Sequence, residues 1–431
     1  MPESVGTSVR GDRYRWWVLG ILTATQTCQF LDRTIIGVVL PPLKLEFKLT
    51  DAQGGLLAGL AFGLAFAACA LPFGYLADRV NRKRLLVTVI TVWSAMTALC
   101  ATGTGFISLL LLRMGVGAAE SGANPTILSL VSDYFGRNQR SVAVGILYTS
   151  ATFGNAFAFI VGGYVAQHAG WRWAFLLAGL PGIILAVLLL ATIREPKRGA
   201  QDGLGAADHA PSLKETAAAI GAQRSILHLI TGMTLTAMVV SATSAWLISF
   251  LMRQHHVPLG VSGLISGLGL GIFGGLGAFT AGIVADRLSQ TPRGHEPSRA
   301  ALVAAVTTGL AGVCGIVAVT ASPLVIAIAF MFLYSLFNTA YNGPAYGLML
   351  TATQPRMRGV VVAAFQFLAN LIGYGFGPYL VGLLSDRIGG PSSLRWALSI
   401  VFLVNLWAAC HFFMAARRGR REIGVVAVTP A

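Results

Sequence analysis

The sequence predicts an all-α membrane protein, with twelve transmembrane helices arranged as two pseudo-symmetric six-helix bundles. Three observations carry this reading. Only 11% of the 431 residues are charged and 55% are hydrophobic, whereas a soluble domain carries roughly a quarter charged residues. The apolar residues fall in runs that match the roughly 20 residues a helix needs to cross the bilayer. Motifs of the first half also recur in the second: Pro125 followed by Arg137 and Arg140 returns as Pro344 followed by Arg356 and Arg358, and Gly163 returns as Gly382.

The spans follow in order. The basic residues Arg10 to Arg15 run straight into a first span near 16–40, and no small-residue cleavage site follows, so the segment is expected to be retained. Further spans lie near 53–76, 84–104, 106–134, 140–167 and 172–193. A second set lies near 226–254, 262–287, 298–320, 322–352, 358–386 and 394–416. The expected division is a bundle over 1–193, a polar cytoplasmic linker over 194–225, a bundle over 226–416 and a cytoplasmic tail over 417–431. The linker opens on Arg194-Glu195-Pro196 and is rich in Gly, Ala and Asp.

The net charge of +15 is a topology signal rather than a nucleic-acid footprint. Of the 31 Lys and Arg, 23 fall in the termini and alternate loops, and six fall in the other set of loops. The positive-inside rule then places both termini in the cytoplasm, as expected for a protein of the bacterial inner membrane. Nucleic acid is not an expected partner. The five cysteines, Cys28, Cys69, Cys100, Cys314 and Cys410, all sit in apolar spans without ligand spacing. Packing is their expected role, with no cofactor or metal.

Only Asp32, Arg33, Arg113 and Glu120 among the Asp, Glu, Lys and Arg residues lie deep in the spans. An unpaired charge at that depth costs about 2.5–3.5 kcal/mol, so such residues are functional candidates. Arg113 and Glu120 are seven apart on the fourth span and share one face, which Asn124 continues. The four charges sum to zero. Asp32 and Glu120 are the expected proton carriers, and protonating either leaves a net positive site suited to an anionic head group. The second half has no such charges. It offers Ser241, Thr243, Ser244 and Trp246, then Asn338, Tyr341, Asn342 and Tyr346, then Gln366, Asn370 and Tyr374, either as a cavity wall or as helix–helix hydrogen bonds.

Gly74-Tyr75-Leu76-Ala77-Asp78-Arg79-Val80-Asn81-Arg82-Lys83-Arg84 lies between the second and third spans and is echoed by Gly282-Ile283-Val284-Ala285-Asp286-Arg287. This resembles the loop between the second and third helices of the major facilitator superfamily and its degenerate copy, which implies the major facilitator fold. Gly74, Asp78, Arg79, Arg82, Asp286 and Arg287 are the expected cytoplasmic gate, with Gly74 allowing close helix approach. The stretches Leu49-Thr50-Asp51-Ala52-Gln53-Gly54-Gly55, Arg113 to Glu120, Trp171 to Phe175 and Arg194-Glu195-Pro196 are similar to the spinster-type branch, well over 28–199 and loosely beyond. The resemblance implies a proton-coupled carrier of lysolipids or sphingoid phosphates. It also implies that Asp32 and Arg33 form a first-helix pair, and that Arg113 and Glu120 form a fourth-helix pair for coupling. Sugar-acid symporters share the Asp-Arg and Arg…Glu arrangement, so a small organic anion is the alternative substrate.

Two motifs point elsewhere. Gly269-x-Gly271-x-x-Gly274 satisfies a dinucleotide pattern but lacks a preceding strand, so close helix packing is expected. Gly260-Val261-Ser262-Gly263 resembles an intramembrane serine motif without a presented base, and Ser262 is expected to cap the eighth helix. An enzyme is therefore not expected. A non-translocating sensor is the competing class, and the lack of a long tail or loop weighs against it. The expected carrier is a monomer in the bilayer, taking protons and a small-molecule or lipid anion, with Arg33, Arg113, Asn124, Tyr341, Asn342 and Asn370 around the substrate.

Overall fold

The computed structural model describes residues 5–77, 79–196, 221, 223–291, 294–353 and 357–426. Within them run α1 (Val5–Phe47), α2 (Asp51–Ala77), α3 (Arg82–Thr102), α4 (Phe106–Tyr134), α5 (Arg137–His168) and α6 (Trp171–Thr192). The second set is α7 (Arg224–His255), α8 (Leu259–Ser289), α9 (Ser298–Thr320), α10 (Leu324–Ala352), α11 (Val360–Ile388) and α12 (Ser393–Val426). Among the described residues, eleven helices are long and apolar enough to cross a membrane. The remaining long helix is α1, whose apolar run is interrupted by Gln26, Gln29, Asp32 and Arg33. Most of the expected linker, 197–220, lies outside the described residues.

Four features depart from the sequence expectation. The spans over 106–134 and 322–352 are each broken, at Ser121-Gly122 and at Ala340-Tyr341. The cause is Pro125 and Pro344: each lacks the N–H that would bond the carbonyl four residues earlier, at Ser121 and Ala340. The expected tail begins as helix, since α12 continues through Arg417 to Val426 and Glu422 accepts from the Ser225 hydroxyl at 2.5 Å. A small hairpin, β1 (Gln290–Thr291) antiparallel to β2 (Gly294–His295), lies in the α8–α9 loop. Ser262 is not a cap: α8 starts at Leu259 behind Pro258, and the Ser262 hydroxyl donates back to the Val257 carbonyl at 3.2 Å.

Packing repeats between the halves. α1 packs on α5 as α7 does on α11, α2 on α4 as α8 on α10, and α3 on α6 as α9 on α12. The halves meet along two equivalent seams, α2–α11 and α5–α8. Small residues make these seams close. A Cβ on Gly55 would sit 2.3 Å from the Pro378 carbonyl oxygen, and one on Gly263 would sit 2.3 Å from that of Phe159. The Gly269–Gly274 run takes part as expected, with Gly271 against Ala156. Toward the basic-loop end the seams part: a Cβ on Gly74, Gly145 or Gly282 would meet nothing within 4 Å. The expected close approach at Gly74 is thus absent in this conformation.

Candidate functional site

The four deep charges converge between α1 and α4, but not in the pairs their sequence spacing suggests. Arg33 Nε donates to Glu120 Oε2 at 2.6 Å. Arg113 donates instead to the backbone carbonyl of Asp32, at 3.1 Å. Arg113 and Glu120 do share the α1-facing side of α4. Two helical turns separate them by roughly 10 Å of rise, so each finds its own partner on α1. Gln29, one turn from Arg33, donates to the Glu120 carbonyl at 3.3 Å, and Gln26 donates to Asn124 Oδ1 at 3.4 Å.

Arg33 is the one member of this quartet with appreciable exposure, 17% of its side chain, while Glu120 is fully buried. The polar capacity of the cluster is not used up. Arg33 Nη2 and Arg113 Nε are buried without a hydrogen-bond partner. Trp93 and Thr97 on α3 stand beside Asp32 as its hydrogen-bonding neighbours. A buried polar atom without a partner costs about 1–3 kcal/mol, so these two guanidinium nitrogens leave hydrogen-bonding capacity in the cluster unused.

Two aromatic residues hold the cations. The Arg33 guanidinium lies 5.0 Å from the Phe62 ring and 5.1 Å from that of Phe66, and Arg113 lies 5.4 Å from Phe62. Phe62 therefore stands between both arginines, where its π-face compensates part of their lost hydration. α2 can bring it there because Gly117 on α4 has no side chain; a Cβ would be 2.4 Å from the Phe62 carbonyl oxygen. Sequence reasoning missed Phe62 and Phe66, since phenylalanine in an apolar span carries no signal. Gln26 and Gln29, two polar residues one turn apart in a membrane span, could have been found.

Across the seam, the second-half polar residues sort into two groups. Ser241 donates to the Gly373 carbonyl at 2.9 Å, Thr243 shares a hydrogen bond with Tyr334 at 3.0 Å, and Trp246 donates to the Pro378 carbonyl at 2.8 Å. Asn338 accepts from Asn405 at 3.0 Å. These join helices to one another. Tyr341 is buried against Phe412, with ring centroids 5.8 Å apart, and Asn342 is half-buried beside it. Gln366 donates to the Tyr346 hydroxyl at 3.1 Å, Asn370 donates to the Gln366 carbonyl at 2.8 Å, and Asn370 Oδ1 stays unpartnered. Tyr374 is exposed and within electrostatic reach of Arg33. Tyr148 of α5, also exposed, is coupled to Tyr346. Tyr374 thus stands near Arg33 across the seam.

The expected cytoplasmic gate takes a different form here. Arg82 is buried within the first half, bonded to Asp133, to Glu195 at 2.8 Å, to the Ser129 hydroxyl at 2.9 Å and to the Pro196 carbonyl at 2.9 Å. It ties α3 to α4 and to the exit from α6. Arg79 is exposed and stacks on Tyr75 at 3.4 Å. Asp286 and Arg287 are exposed at the end of α8. Asp78 lies outside the described residues. Among the described residues, no group of three or more His, Cys, Asp or Glu side chains is placed to hold a metal ion.

The chain has relatives among known proteins. The profile of the Major Facilitator Superfamily matches residues 22–378. An "MFS-type efflux pump" of Mycolicibacterium smegmatis is 26% identical over 421 residues, 96% of this chain and 95% of that protein. "Protein spinster homolog 1" of Homo sapiens is 29% identical over 434 residues, 94% of this chain and 80% of that protein. "Sphingosine-1-phosphate transporter SPNS2" of Danio rerio is 28% identical over 392 residues, 86% of this chain and 76% of that protein. Among solved structures, a bacterial homolog of the human lysosomal transporter Spinster, in an inward-facing and occupied conformation, superposes with a TM-score of 0.84 at 28% identity. It covers 95% of this chain and 98% of its own.

Proposed function

From the premise that the chain belongs to the Major Facilitator Superfamily and is a spinster-type membrane transporter rather than an enzyme, we propose that it is a proton-coupled carrier of an amphiphilic anion, working by alternating access. The lipid-like substrate is supported by the relative named as a sphingosine-1-phosphate transporter. The observation that carries the reading is the α1–α4 cluster. It holds two buried carboxyl groups, one paired with Arg33 and the other beside Trp93 and Thr97, and of the four charges Arg33 has appreciable exposure.

The coupling follows from exchange of partners. When an anionic head group binds Arg33, it competes with Glu120 for the same guanidinium. Glu120, buried and deprived of its counter-charge, then takes a proton, because an unpaired carboxylate in a low-dielectric site is costly. Asp32, beside Arg113, is the second protonatable group. The tyrosines and amides of α10 and α11 receive the body of the substrate. The two bundles, 1–193 and 226–416, part alternately at each end. By the positive-inside rule the basic-loop end is cytoplasmic, so the conformation described here is open to the cytoplasm, with both termini on that side.

The test is Glu120→Gln in proteoliposomes. It is expected to abolish accumulation driven by a pH gradient while leaving counterflow intact, and wild-type accumulation by the mutant would overturn the role of Glu120. Thermal stabilisation by lysophospholipids, sphingoid phosphates, sugar acids and their neutral analogues identifies the substrate. Stabilisation by lipid anions alone supports the reading, and stabilisation by sugar acids alone replaces the lipid with a small organic anion. Equal stabilisation by neutral analogues removes the anion site.

A further inference from the structure

We propose that a furrow between α9 and α12, at the basic-loop end, is a binding site for an anionic phospholipid of the adjoining leaflet. Its acyl chain lies between the two helices and its phosphate is held by Arg299, Arg417 and Arg420. The site stands apart from the α1–α4 cluster and does not depend on which substrate the carrier moves.

The furrow follows from where the small residues fall. A Cβ on Gly315 would lie 2.5 Å from the Phe402 ring, one on Gly312 3.1 Å from the Leu406 side chain, and one on Gly309 3.7 Å from the Ala409 side chain. The two helices therefore draw apart by steps toward the basic-loop end. One turn further on, the gap opens into an apolar furrow of about 380 Å³, lined by Ala305, Val306, Ala409, Cys410, Phe413 and Met414. The short side chains of Ala305 and Ala409 leave that space unfilled, and Val306 and Phe413 beside them are exposed. All six residues lie within the membrane-crossing stretches of α9 and α12. Hydrocarbon rather than water fills such a space at that depth.

Charge decides which lipid. α12 continues as helix to Val426 and is tied to α7 by Glu422, which accepts from the Ser225 amide at 3.2 Å. The continuation carries Arg417 and Arg420 on the furrow's side, because Cys410, Phe413, Arg417 and Arg420 recur at steps of three and four residues. On α9, Arg299, Leu302 and Val306 recur in the same way. Glu296, just before α9, crosses the mouth: it accepts from Arg299 Nε at 2.7 Å and is paired with Arg420 at 3.7 Å. Arg299, Arg417 and Arg420 are all exposed. Among the described residues at this mouth, three guanidinium groups face one carboxylate, and the excess is positive. Phosphate oxygens suit guanidinium groups, and basic sites between membrane helices select anionic head groups. A zwitterionic lipid brings its own cation to the same mouth and loses that advantage.

The test uses full-length protein in phosphatidylcholine vesicles, with bimane attached at Cys410, the exposed cysteine, and the half-buried Cys69 replaced by Ser. Phosphatidylglycerol and phosphatidylcholine bearing the same nitroxide-labelled acyl chain are titrated in as quenchers. Phosphatidylglycerol is expected to quench at a mole fraction at least about tenfold lower, since each arginine near the surface is worth about fivefold. Arg417→Gln is expected to reduce that preference about fivefold, and Arg299→Gln/Arg417→Gln to bring the two lipids within about twofold of each other. Both variants alter exposed side chains, so folding is expected to survive, and thermal unfolding checks it. Bimane on Leu403→Cys in the same background with Cys410→Ser is the control. It lies two turns toward the opposite leaflet on the exposed side of α12 and is expected to show no preference. Equal quenching by the two lipids at Cys410 overturns the proposal, as does a preference that persists in the double arginine variant. A preference of the same size at Leu403 also overturns it, because it marks general enrichment of anionic lipid around a basic protein. Quenching by neither lipid at Cys410 shows the furrow covered by something other than lipid, and overturns it as well.

Discussion

Replacing Arg33 with Met removes the charge-assisted bond to Glu120 and leaves that carboxylate fully buried. The neighbouring Gln29, which donates to the Glu120 carbonyl at 3.3 Å, is neutral and supplies no counter-charge. Breaking one partner of a buried pair costs about 3–5 kcal/mol. The contacts of Arg33 with Phe62 and Phe66 add about 0.5–2 kcal/mol each. Glu120→Gln is milder, because the partly exposed Arg33 retains access to water and to both rings. The double variant Arg33→Met/Glu120→Gln removes the orphaned charge altogether and recovers most of the loss from the pair, though not that from the rings. Thermal unfolding of the purified wild type, both single variants and the double variant closes the cycle. A coupling of about 2 kcal/mol or more is expected. If the double variant is no more stable than Arg33→Met, Arg33 and Glu120 are not an energetic unit, and the partner-exchange argument loses its foundation.

Further outcomes follow from other contacts. Arg82→Ala is expected to cost about 3–5 kcal/mol, since it strips a buried cation from Asp133 and Glu195; the same thermal measurement checks it, and a loss under 1 kcal/mol would refute it. Gly74→Ala meets no neighbour in this conformation, so it should not destabilise it. If Gly74 packs closely only in the outward-open state, spin-label distances should show that state depleted. Outside the membrane, hydrogen bonds from Arg172 and Trp171 hold the Glu46 carboxyl below its ordinary 4.5. Its contribution is thus present above pH 4.5 and is lost as pH falls through the lowered value. Because Arg172 and Glu46 are largely exposed, Glu46→Gln should cost no more than about 1 kcal/mol near neutrality, with the gap closing in acid. A constant gap across the titration would contradict the pairing.

Much of this protein was legible because charge and hydrocarbon mix so poorly. Four ionisable residues within apolar runs stood out, and the structure gathers all four between two helices. Their pairing was not legible. Spacing could place Arg113 and Glu120 on one face of α4, but the register of α1 against that face decides that Glu120 meets Arg33. The helix breaks were written in Pro125 and Pro344, whose shared offset also marks the internal repeat. Asp51 was visible only as part of a family-like phrase, although Thr50 and Gln53 around it carry a capping-box pattern. Its partner on α7, Arg253, which donates to its carboxylate at 2.9 Å, lies 202 residues away, a distance across which local sequence carries no information.

Among the described residues, three helices contain a stretch of widened turn: Leu56–Leu60 in α2, Gly267–Phe273 in α8 and Ala369–Phe376 in α11. Such turns interrupt the regular ladder of backbone bonds and are common sites of bending. Here they fall on the helices that form the two seams, between the joined end and the parted one. Each helix is thereby divided into an outer segment fastened to its neighbour and an inner segment with its own freedom. A rigid lever would force one mouth to open as the other shuts. A jointed one lets the inner segments fold inward while the outer fastening still holds. On the proposed alternating-access reading, that freedom permits a chamber closed to both sides of the membrane between the two open states.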